Sequence, residues 1–355
     1  MILIRRTGAG SPTSAFTQNS DGVFVSQTQK LHALDTGNAH ENHDFIVDNS
    51  IYVWQPSFRA YMLINPTACS HPSRPIGFFV SVEPATGIVN ADYVEVLFLG
   101  FYAGKYQASR NDASNSAAGV GTLATSRQGV IPWISVDWDA SVAACIASNV
   151  QMMTNEQAVS LAVYSMLIGP AVFGANRWQP YGNNSSLKDV DDTSVVFTAD
   201  PTQAGRALIG TGTKTGWGAG VNLTTHNGKT TGVYDLNGNV WEWVAGITLR
   251  NSEITKGGVP SGVIVSGTSG QKITALKTLA AITKEGIQAS MDVTGVAEFG
   301  HDGFWFATVA NTEYFPLRGG SWGSSSSAGV FALLLYYVRS NVLTNIGFRA
   351  AFVVL

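Results

Sequence analysis

Few residues in this chain have a type and spacing that could do chemistry. There are two cysteines, Cys69 and Cys145, and six histidines, His32, His40, His43, His71, His226 and His301. A thiolate is the nucleophile and the soft metal ligand that cysteine offers. Two cysteines so far apart in sequence form neither a zinc-knuckle spacing nor a disulfide framework, although they could pair with each other. Cys145 lies in the apolar stretch VAACIA and reads as a buried free thiol. His40 and His43 stand three apart and read as a solvated loop pair. The run Gly210-Thr211-Gly212-Thr213-Lys214-Thr215 has the look of a phosphate loop, but that loop needs a glycine directly before its lysine, and Thr213 stands there. Gly319-Gly320-Ser321-Trp322-Gly323 fits the string G-x-S-x-G, but no helix pattern follows it, as a nucleophile elbow requires. Asn183, Asn184 and Asn222 open N-x-S/T sequons, which matter only on a secretory route.

The elements that must position whatever chemistry remains are sparse. Charged residues make up 13% of the chain and glycine contributes 38 residues, so a loop-rich, weakly charged surface is expected. The formal net charge is −3 and the basic residues form no stripe, which argues against nucleic acid as a partner. No apolar run reaches the ~18 residues of a membrane span, so no membrane insertion is expected. The start, MILIRRTGAGSPTS, lacks the apolar region of a secretory signal. A place in a virion, or outside the cell after lysis, is the expectation.

Residues 1–60 read as a small β-rich module for attachment or oligomerisation, and 61–355 as the main domain. The stretches IGFFVSV and YVEVLFLGFYAGKYQAS read as strands. Two helices are expected. One follows the acidic turn Val136-Asp137-Trp138-Asp139. The other is capped by Thr154 with Gln157 as its capping-box partner, and is expected to stop at Gly169-Pro170. Residues 250–300 read as an insertion with a helical piece around LKTLAAITKEGI. The fold class is α+β: two helices, short strands and long loops.

Several segments fall in an order similar to that of the formylglycine-generating-enzyme family, whose domain is C-type-lectin-like. They are Phe101-Tyr102-Ala103-Gly104-Lys105-Tyr106, the entry Pro132 to Cys145, Met153-Thr154-Asn155-Glu156, and the run Gly232-Val233-Tyr234-Asp235-Leu236-Asn237-Gly238-Asn239-Val240-Trp241-Glu242-Trp243. The last two are Arg318-Gly319-Gly320-Ser321-Trp322 and Asn345-Ile346-Gly347-Phe348-Arg349. Within the long run, Asn237-Gly238-Asn239 needs residues that tolerate positive φ. Trp241 and Trp243 alternate onto one face of a strand, and Val240 and Glu242 onto the other. The resemblance implies that this loop can hold calcium, with side-chain oxygens from Asn237 and Glu242 and carbonyls from Gly238 and Val240. The alternative is that Glu242 pairs with an arginine and no ion binds. No other cofactor is implied. The family's enzymes need reactive cysteines between the last two motifs, and none stands between Trp322 and Gly347. The chain is therefore expected not to be an enzyme.

The end of the chain is also similar to the variable region of diversity-generating-retroelement proteins, in which adenines of a template are mutated. Laid on that pattern, template asparagines fall at Gly323, Ser324, Ser327, Leu334, Tyr336, Tyr337 and Leu343, with Val338 and Val342 added to them. Each residue found there is reachable from an asparagine codon by changing adenines alone. Ala328-Gly329-Val330-Phe331-Ala332-Leu333 and Leu335 keep the scaffold, as do Trp322 and Phe348, while Arg318 and Arg349 are expected to brace the fold. A variable region at about 318–350 follows. In a regular strand Leu333, Leu335 and Tyr337 share one face, and Leu334 and Tyr336 the other. Either the strand is buried on both sides, or one face is a binding surface with Leu334, Tyr336 and Tyr337 as anchors.

The resemblance to phage tropism determinants implies a phage-tail receptor-binding protein, homotrimeric or otherwise homo-oligomeric, with a protein or glycan receptor on a bacterial surface. A host-cell adhesin or a structural tail protein are the alternatives. The flanking DNA should hold a reverse-transcriptase gene and a near-repeat of the segment coding for residues 318–350. Sequencing should find the two copies differing only at template adenines, and mismatches spread over all four bases would remove the retroelement reading.

Overall fold

Two side chains start the two α-helices of the described residues. Asp137 accepts a hydrogen bond from the Ala140 amide and opens α1, Trp138–Ala147. Thr154 and Gln157 exchange both bonds of a capping box, at 3.2 and 2.8 Å, and open α2, Asn155–Phe173. The expected stop at Gly169-Pro170 is corrected: α2 continues to Phe173 and ends at Gly174, whose φ is 109°. A proline inside a helix removes one backbone hydrogen bond. Burial of Leu161, Ala162, Val163, Met166 and Phe173 along the same helix outweighs that loss. The computed structural model describes residues 16–18, 24–26, 44–47, 49–63, 79–81, 93–174, 176–276 and 286–352. His32, His40, His43, His71 and Cys69 lie outside the described residues.

A five-stranded sheet joins distant parts of the chain in the order Gln151–Met152, Ala350–Phe352, Phe101–Gly104, Ser50–Gln55, Asp44–Val47. Val53 pairs with Ala103, which also pairs with Ala351. A module boundary at residue 60 is therefore corrected. Residues 50–55 are a strand of the main domain, with Tyr52 and Val53 buried in its core. The larger sheet runs Val259–Ile264, Glu253–Lys256, Thr248–Arg250, Glu313–Gly319, Gly329–Tyr337, Gly303–Phe306, Gln271–Leu276, Gln288–Asp292. Trp241–Trp243 pairs with both Glu313–Gly319 and Ile346–Phe348. The supposed insertion at 250–300 thus supplies strands on both flanks of this sheet. Leu276 of the expected helical piece is in a strand, and 277–285 lie outside the described residues.

Strand Gly329–Tyr337 lies at the centre of the large sheet and is buried on both faces through Leu335. Phe331, Leu333 and Leu335 pack in the layer that contains α2. Ala332 and Leu334 pack in the layer that contains Ala144 and Cys145 of α1. Cys145 is fully buried, and burial raises its thiol pKa far above the ordinary value, so it stays an unreactive thiol.

The entry to this strand is clamped by two buried side chains. Gln179 Oε1 accepts from the Val330 amide at 2.9 Å, and Asp302 Oδ2 accepts from the Phe331 amide at 2.7 Å. Gln179 Nε2 donates to Asp302 Oδ1 at 2.9 Å. A Cβ on Gly329 would overlap the Asp302 carboxylate, so glycine is required there. Burial pushes the Asp302 pKa up to about 8 from 3.8. With the folded value above the unfolded one, the stability tied to this proton is complete below about pH 4 and disappears as pH rises through about 8. The stability of the wild type relative to Asp302→Asn should accordingly fall across that window in denaturant titrations. A difference that does not change with pH contradicts the burial argument.

Candidate ligand-binding face

The Gly329–Tyr337 strand does not keep its alternation to the end. Leu317 pairs with Leu334 and Phe315 with Tyr337, so three steps on one strand oppose two on its neighbour. A β-bulge of this kind re-aims the side chains beyond it. Tyr337 leaves the face of Leu333 and Leu335 and packs, half-buried, in the layer of Leu334 and Phe315. Tyr336 is turned outward and is 54% exposed, its ring edge-on to Tyr337 at 5.5 Å. The assignment of Tyr337 to the Leu333 face is thus corrected. Leu334 is corrected as an exposed anchor: it is 9% exposed, covered in a layer with Trp241 and Trp305.

The remaining positions expected to vary fall on two loops. In the first, Gly323 is exposed, and a Cβ built there would meet nothing within 4 Å. Ser324 and Ser327 are half-buried, and Ser324 Oγ accepts from the Ser321 amide at 3.0 Å. In the second, Val342 is 50% exposed, while Val338 and Leu343 are half-buried.

Both loops are held through main-chain atoms. The Trp322 amide donates to Asn239 O, its carbonyl accepts from Ser186 N, and the Ser325 amide donates to Asn184 O. Lys272 Nζ donates to the Ser326 carbonyl at 3.1 Å. On the second loop, Trp138 N donates to Arg339 O, Ser135 N to Leu343 O, and Trp241 N to Asn345 O. Arg206, itself paired with Asp200, donates from Nη1 to Thr344 O at 3.1 Å. Bonds to the backbone do not depend on which side chain a position carries.

The motif residues beneath the loops form a buried polar network. Arg349 binds both oxygens of Glu242, through Nε at 2.9 Å and Nη2 at 2.6 Å. It also donates to Gly104 O and Tyr234 O. Gln107 Nε2 donates to Glu242 Oε1 and to Val240 O, and Gln107 Oε1 accepts from Asn239 Nδ2. Gly238 and Asn239 take the left-handed turn with φ of 79° and 62°. Asn237 Nδ2 donates to Pro180 O while its Oδ1 accepts from Asn184.

This arrangement does not fit the calcium set Asn237, Gly238, Val240 and Glu242. A guanidinium already holds both Glu242 oxygens, a fixed positive charge where a dication needs a free carboxylate. Among the described residues no cluster of three or more His, Cys, Asp and Glu is suited to a metal. His226 is buried with Nδ1 accepting from the Val233 amide, and burial lowers its pKa to about 3. Arg318 braces the variable strand by donating to Asn155 Oδ1 and Phe331 O.

Sequence reasoning missed Trp305, which pairs in register with Leu334 and stands edge-on to Trp241 at 5.6 Å. It also missed Gln179, Asp302, Arg206 and Lys272. All five lie outside the motifs; sheet order places Trp305 and Lys272, while Gln179, Asp302 and Arg206 reach the variable segment as buried loop residues through long-range hydrogen bonds.

No protein-family profile and no curated protein matches the chain. Among solved structures it is similar to the Major Tropism Determinant P3c variant over 96% of this chain and 86% of that one, at 12% identity and a TM-score of 0.36. It is similar to PvdO from Pseudomonas aeruginosa over 87% of this chain and 97% of that one, at 14% identity and a TM-score of 0.36. Treponema denticola variable protein 1 is similar over 88% and 98%, at 12% identity and a TM-score of 0.34. At these scores the likeness decides nothing about the site.

The glycines give a direct test of which positions can vary. At Gly347 a Cβ would sit 2.6 Å from the Trp133 carbonyl, and at Gly320, with φ of 86°, 2.5 Å from Ala328 Cβ. Gly347→Ala should cost about 1–3 kcal/mol in chemical denaturation, the usual cost of overpacking. Gly323→Tyr should leave the unfolding free energy within about 0.5 kcal/mol of the wild type. Equal losses at the two sites would contradict the division into fixed and variable positions.

Proposed function

We propose that this chain is a hypervariable, non-catalytic ligand-binding protein, displayed on a phage or prophage tail, that binds a molecule on a bacterial surface. The observation that carries the reading is the main-chain grip on both variable loops. Gly323, Tyr336 and Val342 are exposed on a segment whose course is set by Asn184, Ser186, Asn239, Ser135, Trp138 and Arg206. A surface built this way can change its side chains by mutation and keep its shape.

The residues at these positions suit recognition. Tyrosine gives a large amphipathic contact at low entropic cost, and Gly and Ser adapt around it. Tyr336 and Val342 are the outward anchors. Leu334, Tyr337, Val338 and Leu343 set the shape beneath them, and Gly323, Ser324 and Ser327 form the polar rim. A homotrimer or other homo-oligomer would convert weak single contacts into avidity. The absence of any cysteine between Trp322 and Gly347 supports binding over thiol-based oxidation.

Tyr336→Ala is the test. Bacterial isolates labelled by the full-length chain should lose labelling at least about tenfold, the loss of one aromatic anchor. The thermal midpoint should stay within about 2 °C, as for an exposed side chain. Undiminished labelling by a folded Tyr336→Ala chain contradicts the proposal.

A further inference from the structure

In the sequence Asn183 only opens a sequon. In the fold it is 1% exposed, and its amide meets three different segments. Oδ1 accepts from the Leu187 amide at 2.7 Å. Nδ2 donates to Gly205 O at 3.0 Å and to Asn239 Oδ1 at 3.1 Å. The Asn183 carbonyl accepts from the Asn239 amide at 2.7 Å. Asn239 Nδ2 in turn donates to Gln107, which donates to Glu242. The buried pair Arg349–Glu242 is therefore joined to Asn183 by an unbroken run of side-chain hydrogen bonds.

The segments that meet at the Asn183 amide also surround Trp322, the residue before the variable positions Gly323 and Ser324. The bond to Leu187 closes a short loop in which Ser186 and Leu187 take left-handed φ of 48° and 71°. Residues with a Cβ disfavour that region, so such a turn persists only where its surroundings fix it. In this conformation the Ser186 amide donates to Trp322 O at 2.9 Å, and Asn184 O accepts from the Ser325 amide at 2.9 Å. The bond to Gly205 fixes the backbone against the Trp322 ring: a Cβ on Gly205 would stand 2.7 Å from Trp322 Cδ1. Asn239, the third partner, accepts from the Trp322 amide at 3.0 Å through its carbonyl.

We infer that Asn183 is the positioning residue of the first variable loop: it aims the Ser186 amide, the Gly205 backbone and Asn239 at Trp322 together, and so sets where Gly323 and Ser324 leave the framework. This rests on the binding reading above and names the residue through which the constant framework controls the serine-rich half of that face. A carboxamide suits the place because it offers an acceptor and two donors in one plane. An aliphatic side chain offers neither. An aspartate would set an oxygen against the acceptors Gly205 O and Asn239 Oδ1.

Hydrogen–deuterium exchange of the full-length chain, read by mass spectrometry, tests this. In Asn183→Ala the segment 320–328 should exchange about tenfold faster or more, the effect of losing a buried, bonded amide, while α2 and the strand Gly329–Tyr337 keep their wild-type rates. Ser186→Gly relieves the left-handed strain at an exposed position. Added to Asn183→Ala, it should recover about threefold or more of that protection. Labelling of bacteria should fall about threefold or more in Asn183→Ala, although the residue is buried. If Asn183→Ala does not fold, the wild type supplies the measurement. Under sub-denaturing guanidinium its segments 183–188 and 320–328 should open together, before α2, as one cooperative unit. Unchanged exchange at 320–328 in Asn183→Ala, a rise shared by α2, no recovery with Ser186→Gly, or separate opening of the two segments in the wild type each overturn the role. Full labelling by an Asn183→Ala chain whose first loop exchanges fast overturns it as well. Labelling that still depends on Tyr336 in any of these cases leaves the binding reading standing, so the two fail separately.

Discussion

Arg349 and Glu242 form the contact on which the proposed binding face depends. Arg349 is fully buried and Glu242 nearly so, an arrangement that is unfavourable unless every donor and oxygen is met. Here they are met by two charge-assisted bonds, two backbone carbonyls and Gln107. The pair joins Trp241–Trp243 to the segment that follows Ile346–Phe348 and ties both to Gly104 and Tyr234. It fixes the far end of the second variable loop and, through Gln107 and Asn239, the framework that receives the first. The same pairing leaves neither Glu242 oxygen free for a calcium ion.

From that anchor follows a division of labour between fixed and variable residues. Ala328 packs against Gly320, Gly329 makes room for Asp302, Val330 and Phe331 give their amides to Gln179 and Asp302, and Leu333 fills the core. A side chain at Gly329 or a larger one at Ala328 would clash, and truncation of Val330, Phe331 or Leu333 would remove buried apolar contact. At Gly323, Tyr336 and Val342 the fold uses the backbone and leaves the side chain in solvent. Leu334 is intermediate. It varies in the proposed scheme yet lies covered beside Trp305 and Trp241, so its substitutions reshape the floor of the face.

Local signals in the sequence were sufficient for local structure. The acidic turn before α1, the cap at Thr154, the turn at Gly238-Asn239 and the shared face of Trp241 and Trp243 all follow from residue type and spacing. What depends on a distant partner was not legible. The bulge that moves Tyr337 arises only in register with Phe315 and Leu317. The burial of Leu334 needs Trp305, which comes from another strand. The strand Ser50–Gln55 reads as part of a separate module until Ala103 is seen to pair with both Val53 and Ala351. α2 passes Pro170 because tertiary burial outweighs one lost hydrogen bond, a balance that local propensity does not contain.

The central claim is that the variable loops are held mainly by their backbone, so that their course survives the loss of the one variable side chain that bonds within them, Ser324 Oγ to the Ser321 amide. The most direct measurement is a crystal structure of a multiple variant with Gly323, Ser324, Ser327, Tyr336 and Val342 all replaced by other residues reachable from asparagine codons. The account predicts that the backbone of residues 318–350 superposes on the present one within about 1 Å, as expected of a pre-organised interface. Loops that take a new course, with the bonds from Ser135, Trp138, Ser186 and Arg206 broken, would contradict it.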